Sequence, residues 1–316
     1  MKVPAIDAKF EGDLAWDAAF PRSPGCYITG TVHRDVRVHY LTRVMVINCP
    51  GTYQPVAHEN SYVNDLRSLR GRVLGKVPLP TAAGIADLRK QASRIKRSLP
   101  KVFRETYEEV LSRYHGSKRA KYERAFEDIQ RGMARKSDSR ISAFIKTEKL
   151  KASAVDKDPR MIQFRHPRYN LEIATWLKPT EDVLYHLKGN GKVLPRSRLI
   201  GKGLSTTKRA HLAVKKFRNF ANCVVLSLDA SRFDKHVSPE LLQIEHGFYN
   251  YMNNNDPRLR SLLSQQLNNK GTTGSGIRYK TRGKRMSGDM NTALGNCLLM
   301  VLMVSTAMYE SKDGIL

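Results

Sequence analysis

The run from Ala293 to Met308 carries no charged side chain, and an amide, Asn296, sits near its start. It is about a turn short of a membrane span, so it reads as a helix buried inside a core. The chain has 316 residues, enough for one large domain or two modest ones around it. The preceding residues are Arg285-Met-Ser-Gly-Asp-Met-Asn-Thr-Ala-Leu-Gly-Asn296. Ser287 or Asp289 is expected to cap the helix, and Gly288 permits an unusual backbone geometry just before it. Thr292 and Asn296 are four residues apart and share one helical face close to the N-terminus. A capped buried helix accounts for Ser287 and Asp289, but it gives no reason for an amide beside Leu298 and Leu299.

A second feature lies upstream. Cys223-Val-Val-Leu-Ser-Leu228 is short, apolar and rich in β-branched residues, which predicts a buried strand. It ends in Asp229-Ala-Ser-Arg-Phe-Asp234. Carboxylates at the rim of a sheet can meet a divalent cation, as phosphoryl transfer requires. On its own the pair is a weak signal, because a turn cap at a strand end uses the same residues.

Charge narrows the class of partner. The net charge is +26, with 55 basic and 29 acidic residues, and self-repulsion on that scale calls for a polyanion. Nucleic acid leads, ahead of an anionic membrane surface or a capsid role. Between Leu88 and Arg104 there are seven basic residues and no acidic one, from Arg89 and Lys90 through Arg94, Lys96 and Arg97 to Lys101 and Arg104. This is a solvated helix face or one that meets phosphate. Arg278, Lys280, Arg282 and Lys284 alternate, so a β-strand would project all four from one face, as RNA contacts or as a solvated edge.

The rest of the chain is organised more plainly. Residues 27–48 alternate around Val36, Val38, Tyr40, Val44 and Val46, predicting strands. Residues 50–84 read as loops with short helices. Ile85 to about Arg135 reads as helical, broken at Pro100 and Gly116. Cys26, Cys49, Cys223 and Cys297 form no Cys-x-x-Cys pair, which argues for reduced thiols and against a zinc site. The start lacks an apolar signal-peptide core.

Asp229-x4-Asp234 followed by Ser287-Gly-x3-Thr292-x3-Asn296 resembles motifs A and B of positive-strand RNA virus polymerases, the tombusvirus-like branch in particular. Phe144-Ile-Lys-Thr-Glu-Lys149 and Asp158-Pro-Arg-Met-Ile-Gln-Phe-Arg165 are similar to that family's motif F, and Tyr114-His-Gly-Ser-Lys118 to its fingers helix region. The resemblance implies an α+β right-hand polymerase fold, with mainly helical fingers and part of an antiparallel-sheet palm. Residues 58–220 would be fingers, and residues 221–316 a partial palm with inserted fingers strands around 270–285. Residues 1–57 stay unplaced, with the fingertips as a candidate.

The same resemblance implies that Asp229 binds catalytic Mg²⁺ (or Mn²⁺). Asp234 and Asn296 would meet the incoming ribose, with Thr292 helping. Ser287 and Gly288 would form a mobile loop, and Lys146, Lys149, Arg160 and Arg165 would line a nucleotide tunnel. Template and product RNA, nucleoside triphosphates and a viral accessory replicase protein are the implied partners. The implied location is the host cytoplasm at membrane-associated replication complexes. The chain contains no Gly-Asp-Asp, the family's second metal motif. It is therefore expected to be a fragment without a thumb, inactive alone. A non-enzymatic RNA-binding or capsid protein is the rival on charge. A reverse transcriptase is the rival among enzymes, disfavoured by the Asp234 and Asn296 pair.

Overall fold

Helix starts follow local capping chemistry along most of the chain. The computed structural model describes residues 20–32, 41–44, 55–189, 196–222 and 224–310. In chain order the first elements are strands β1 (Tyr27–Thr31), β2 (Leu41–Arg43) and β3 (Val56–His58), helices α1 (Tyr62–Ser68), α2 (Ala82–Lys96), α3 (Tyr107–Ser112) and α4 (Gly116–Gln130), and strands β4 (Ile141–Ile145) and β5 (Met161–Phe164). Then come α5 (Pro167–Leu184), α6 (Thr206–Phe217), the single turn α7 (Phe233–His236), α8 (Pro239–Met252), α9 (Pro257–Ser264), β6 (Asn268–Thr273), β7 (Ile277–Arg282) and α10 (Thr292–Glu310). Ser61, Thr81, Ser205, Ser238 and Asp256 each accept a backbone N–H at a helix start, and Thr106 with Glu109 completes a reciprocal capping box.

Five strands form one mixed sheet in the order β1-β7-β6-β4-β5, antiparallel except for β4 against β6. The second sheet, β2 with β3, is a two-stranded antiparallel pair. Alternation sends Ile141, Ala143, Ile145, Met161, Ile277 and Tyr279 to one face of the large sheet, where they pack with α1 and the π-helical turn Leu69–Leu74. A larger helical core joins α2, α5, α8, α9 and α10. A third cluster seats α3 and α4 on α5, with the Tyr114 and Tyr122 rings stacked at 5.1 Å. The mixture of helix and sheet agrees with the α+β expectation, although one pair in the sheet is parallel.

Several sequence expectations hold. Helix follows from Ala82 onward, interrupted around Pro100 and again just before α4, which begins at Gly116. The apolar run from Ala293 lies in α10, whose Leu294, Leu298, Leu299 and Leu302 are buried. No helix among the described residues is long and apolar enough to cross a membrane. Strands do occur at 27–31 and 41–43, but Val36, Val38, Tyr40 and Val46 lie outside the described residues, as do Cys49 and Cys223.

Three expectations fail. Val224–Leu228 is neither buried nor a strand: Val224 is 85% and Leu228 64% exposed. A strand needs a neighbour for its N–H and C=O groups, and no described strand runs beside this segment. β7 is an interior strand, so a solvated edge does not explain its charges. Lys284 does not share their face. Positive φ at Gly283 (70°) and Lys284 (71°) ends the strand's alternation, and the ammonium turns inward to donate to Lys235 O at 2.7 Å and Ser23 Oγ at 3.0 Å.

Candidate active site

A cavity of about 870 Å³ opens where the end of β5, the turn 229–235 and the loop before α10 converge. Asp229, Asp234, Lys146, Arg160 and Ser287 all line it, residues drawn from segments up to about 140 positions apart. The turn between the two carboxylates is held from outside. Arg232 sits at φ 53°, in the left-handed region that side chains rarely adopt. Its guanidinium donates to Gly71 O at 2.9 Å and pairs with Asp158 at 2.6 Å.

Asp234 and Asn296, which the resemblance places near a ribose, are hydrogen-bonded to each other. Asn296 Nδ2 donates to Asp234 Oδ1 at 2.9 Å, and Asn296 Oδ1 accepts from Arg285 Nε at 3.0 Å. These two bonds fix which end of the amide faces Asp234. Arg285 is in turn clamped by the buried Glu245 carboxylate through both terminal nitrogens. Burial alone would lower the Arg285 pKa, but Glu245 outweighs it and the guanidinium is held above its ordinary value. Glu245 also accepts from Asn291 at 2.7 Å and Tyr249 at 2.8 Å, so its remaining lone pairs are satisfied.

The loop before α10 is stitched to the free edge of β5. Gly288 N donates to Gln163 O at 2.7 Å, and Ser287 Oγ accepts from Gln163 N at 3.1 Å. A Cβ on Gly288 would come within 2.7 Å of both Gln163 O and Phe164 Cβ, so only glycine allows this approach. Thr292 Oγ1 donates to Met286 O at 2.7 Å, which tightens the same turn.

Other expected residues land elsewhere. Arg165 is not in a tunnel: its side chain is fully buried, paired with Asp289 at 2.7 Å and donating to Ser139 O and Asn269 Oδ1. Its guanidinium, which burial would lower, is held above its ordinary value by Asp289. This also removes Asp289 as a helix cap. Ser287 is committed to β5, so neither proposed cap serves. Lys149 is exposed and does not line the cavity.

The sequence reading missed Arg72, Lys157, Arg232, Lys235 and Arg285, all on the cavity wall. Arg232 and Arg285 lie inside the motifs that were singled out, where their side chains could have been weighed. Arg72 and Lys157 carry no motif signal. With Lys146 and Arg160 these make seven cations against the two carboxylates, Asp229 and Asp234. Burial lowers the Arg72 pKa, and Arg232 and Arg160 lower it further. Lys235 is likewise lowered, first by burial and then by Arg232. Cations that depress one another mark a concentrated positive potential suited to phosphate. Glu148 accepts from Lys146 at 2.8 Å and lies 3.5 Å from Arg160. Burial would raise its carboxyl, but those two cations hold it below the usual range.

Among the described residues no three His, Cys, Asp or Glu side chains are grouped to enclose a metal ion. Two carboxylates beside a phosphate-attracting wall do suit Mg²⁺, which keeps waters and takes one or two carboxylates together with substrate phosphates. The residues present fit that mode, and Asp229 would be the one to hold the ion.

Comparison with known proteins agrees with the geometry. Residues 31–314 match the family described as viral RNA dependent RNA polymerase. The chain is 39% identical to the RNA-directed RNA polymerase of Groundnut rosette virus (strain MC1), across 78% of this chain and 30% of the relative. It is 33% identical to the RNA-directed RNA polymerases of Cymbidium ringspot virus and of Tomato bushy stunt virus (strain Cherry), across 96% of this chain and 38% of each. The chain thus spans about a third of the length of the curated relatives it matches.

Proposed function

The chain belongs to the viral RNA-dependent RNA polymerase family, and from that membership we propose that its cavity is the nucleotide site of an RNA-dependent RNA polymerase replicating a positive-strand RNA virus genome. The observation that carries this reading is the 2.9 Å hydrogen bond by which Asn296 holds Asp234, a residue of the wall that also carries Asp229 and seven cations. Residues 58–220 are proposed as fingers and 221–316 as part of the palm. The rival readings, a capsid protein and a reverse transcriptase, leave the family membership unexplained.

In this reading Arg160, Arg72, Lys157 and Lys146 receive the triphosphate, arginine being suited to phosphate by its planar fork. The Asp234 carboxylate accepts from a ribose hydroxyl with the oxygen that Asn296 leaves free. A 2′-hydroxyl separates ribonucleotides from deoxyribonucleotides, and a fixed polar pair loses a partner when that group is absent. Asp229 would hold Mg²⁺, which would supply neutralisation of phosphate charge and a lowered pKa for the attacking hydroxyl. The growing strand's 3′-hydroxyl gives up its proton to water as its oxygen bonds to the α-phosphorus, and the bond from the α-phosphorus to the oxygen bridging to the β-phosphorus breaks, so that pyrophosphate leaves.

Two experiments test the assignment. In the full-length polymerase, Asp229→Asn should abolish nucleotide incorporation and leave RNA binding intact; equal loss of both would remove Asp229 as metal ligand. These 316 residues, which contain no Gly-Asp-Asp, are proposed to be inactive alone. Mg²⁺-dependent primer extension by them would contradict that.

A further inference from the structure

Arg232 is held in a way that its place on the cavity wall does not explain. Its backbone sits in the left-handed region at φ 53°, which costs a side-chain-bearing residue free energy and persists only where the surroundings enforce it. Its guanidinium is turned to Gly71 O and to the Asp158 carboxylate, at 2.9 and 2.6 Å. Asp158 does not line the cavity, whereas Lys157 and Arg160 on either side of it do. The carboxylate has a seat shaped for it. A Cβ on Gly71 would lie 2.0 Å from Asp158 Oδ2, so any other residue at 71 would displace the carboxylate.

The pair does little for the fold. Its two side chains are 40% and 30% exposed, and ion pairs so open to water contribute little to stability. The loop carrying Asp158 is fixed through its backbone instead. Arg67 donates to Asp156 O at 3.2 Å, Arg72 Nε to Asp158 O at 2.8 Å, and Lys146 N to Arg160 O at 2.7 Å. The turn bearing Arg232 is fixed from its other side, where Arg285 N donates to Asp234 O at 2.9 Å. The carboxylate acts mainly through its charge. Burial and then Arg232 lower the Lys235 pKa, and Asp158 works against them. At Arg72 it is the strongest of the groups that oppose burial, Arg232 and Arg160. A negative charge therefore sits directly behind a wall that otherwise attracts phosphate.

We propose that Asp158 is a positioning residue that keeps Arg232 in store for substrate: when a ribonucleoside triphosphate enters, the guanidinium passes from the Asp158 carboxylate to a phosphate oxygen, and it returns as pyrophosphate departs. Carboxylate and phosphate oxygens suit the same guanidinium fork. The exchange trades one charge-assisted contact for another, and no covalent bond forms or breaks. It favours the triphosphate, which carries several negative charges against the single charge of Asp158. Drawing the cation back lowers affinity for every ligand that uses it, and this keeps pyrophosphate from being retained. The inference rests on the nucleotide reading of the cavity and adds to it how one wall cation is released and recovered.

Isothermal titration of a ribonucleoside triphosphate, and separately of inorganic pyrophosphate, into the 316-residue chain with Mg²⁺ tests it. Asp158→Asn keeps an acceptor for Arg232 but removes the competing charge. Both ligands should then bind about threefold more tightly, the order of one exposed ion pair, with the melting temperature unchanged. A carboxylate that only braced the turn would give the opposite sign. Arg232→Gln should weaken both ligands, and adding Asp158→Asn to it should have no further effect. In the full-length polymerase, Asp158→Asn should lower KM for the triphosphate and strengthen inhibition by pyrophosphate by similar factors, without raising kcat. Weaker binding in Asp158→Asn would overturn the proposal. So would equal tightening in the Arg232→Gln background, which marks a general field and not an exchange. If the wild-type chain binds neither ligand, the cavity assignment falls and this inference with it. If it binds both and Asp158→Asn changes nothing, the exchange alone falls.

Discussion

At the scale of single residues, the cavity is best understood through Asn296. Its amide is oriented from behind by Arg285, which is itself locked by buried Glu245. Asn296→Ala in the full-length enzyme should therefore relax ribose over deoxyribose discrimination by about tenfold, the order of one well-placed hydrogen bond; steady-state incorporation of both triphosphates measures it, and unchanged discrimination would remove the role. Arg165 shows the limit of sequence reasoning. Nothing local separates an arginine meant for phosphate from one that neutralises a buried carboxylate 124 residues away. Arg165→Met should cost about 3–5 kcal/mol in urea unfolding, because it leaves Asp289 buried and unpaired, and Arg165→Met/Asp289→Leu should recover most of the loss. His246 gives a pH signature. Burial pushes its imidazole down from 6.5 to about 4, so the folded state resists protonation. Its contribution is intact above pH 6.5 and is lost as pH falls toward 4, by about 3 kcal/mol in all. Unfolding free energies for His246→Gln should lack that component across the same window.

At the scale of elements, patterning revealed what periodicity and capping control. Most helices from Ala82 onward follow from spacing and N-caps, and the buried α10 follows from its uncharged apolar run alone. The run 224–228 has every local mark of a strand, yet ladder pairing is non-local and the described strands pair elsewhere. Hydrogen exchange on the chain should show these amides exchanging far faster than those of β4, β6 and β7. Equal protection would mean that the run is paired after all. The alternation of Arg278, Lys280 and Arg282 was legible, but their interior position in the sheet was not, and Lys284 left the face because a left-handed turn intervenes. The loop at Gly288 depends on backbone approach to β5. Gly288→Ala should push it away at a cost of about 1–3 kcal/mol, measurable as a lower melting temperature and weaker triphosphate binding.

At the scale of the whole molecule, the net charge of +26 is spread over several elements, and part of it is concentrated at the cavity. There seven cations surround two carboxylates. The polymerase class was legible because motifs fix residue types at short spacing, and the family match over residues 31–314 agrees. The cavity wall was only half legible, since Arg72 and Lys157 reach it through tertiary packing alone. Isothermal titration of a ribonucleoside triphosphate into the 316-residue chain tests the cavity most directly. Binding should require Mg²⁺ and weaken about tenfold with Arg160→Gln, the loss of one charge-assisted contact. Binding of equal strength without Mg²⁺ and in the Arg160→Gln variant would contradict the assignment of this cavity to nucleotide.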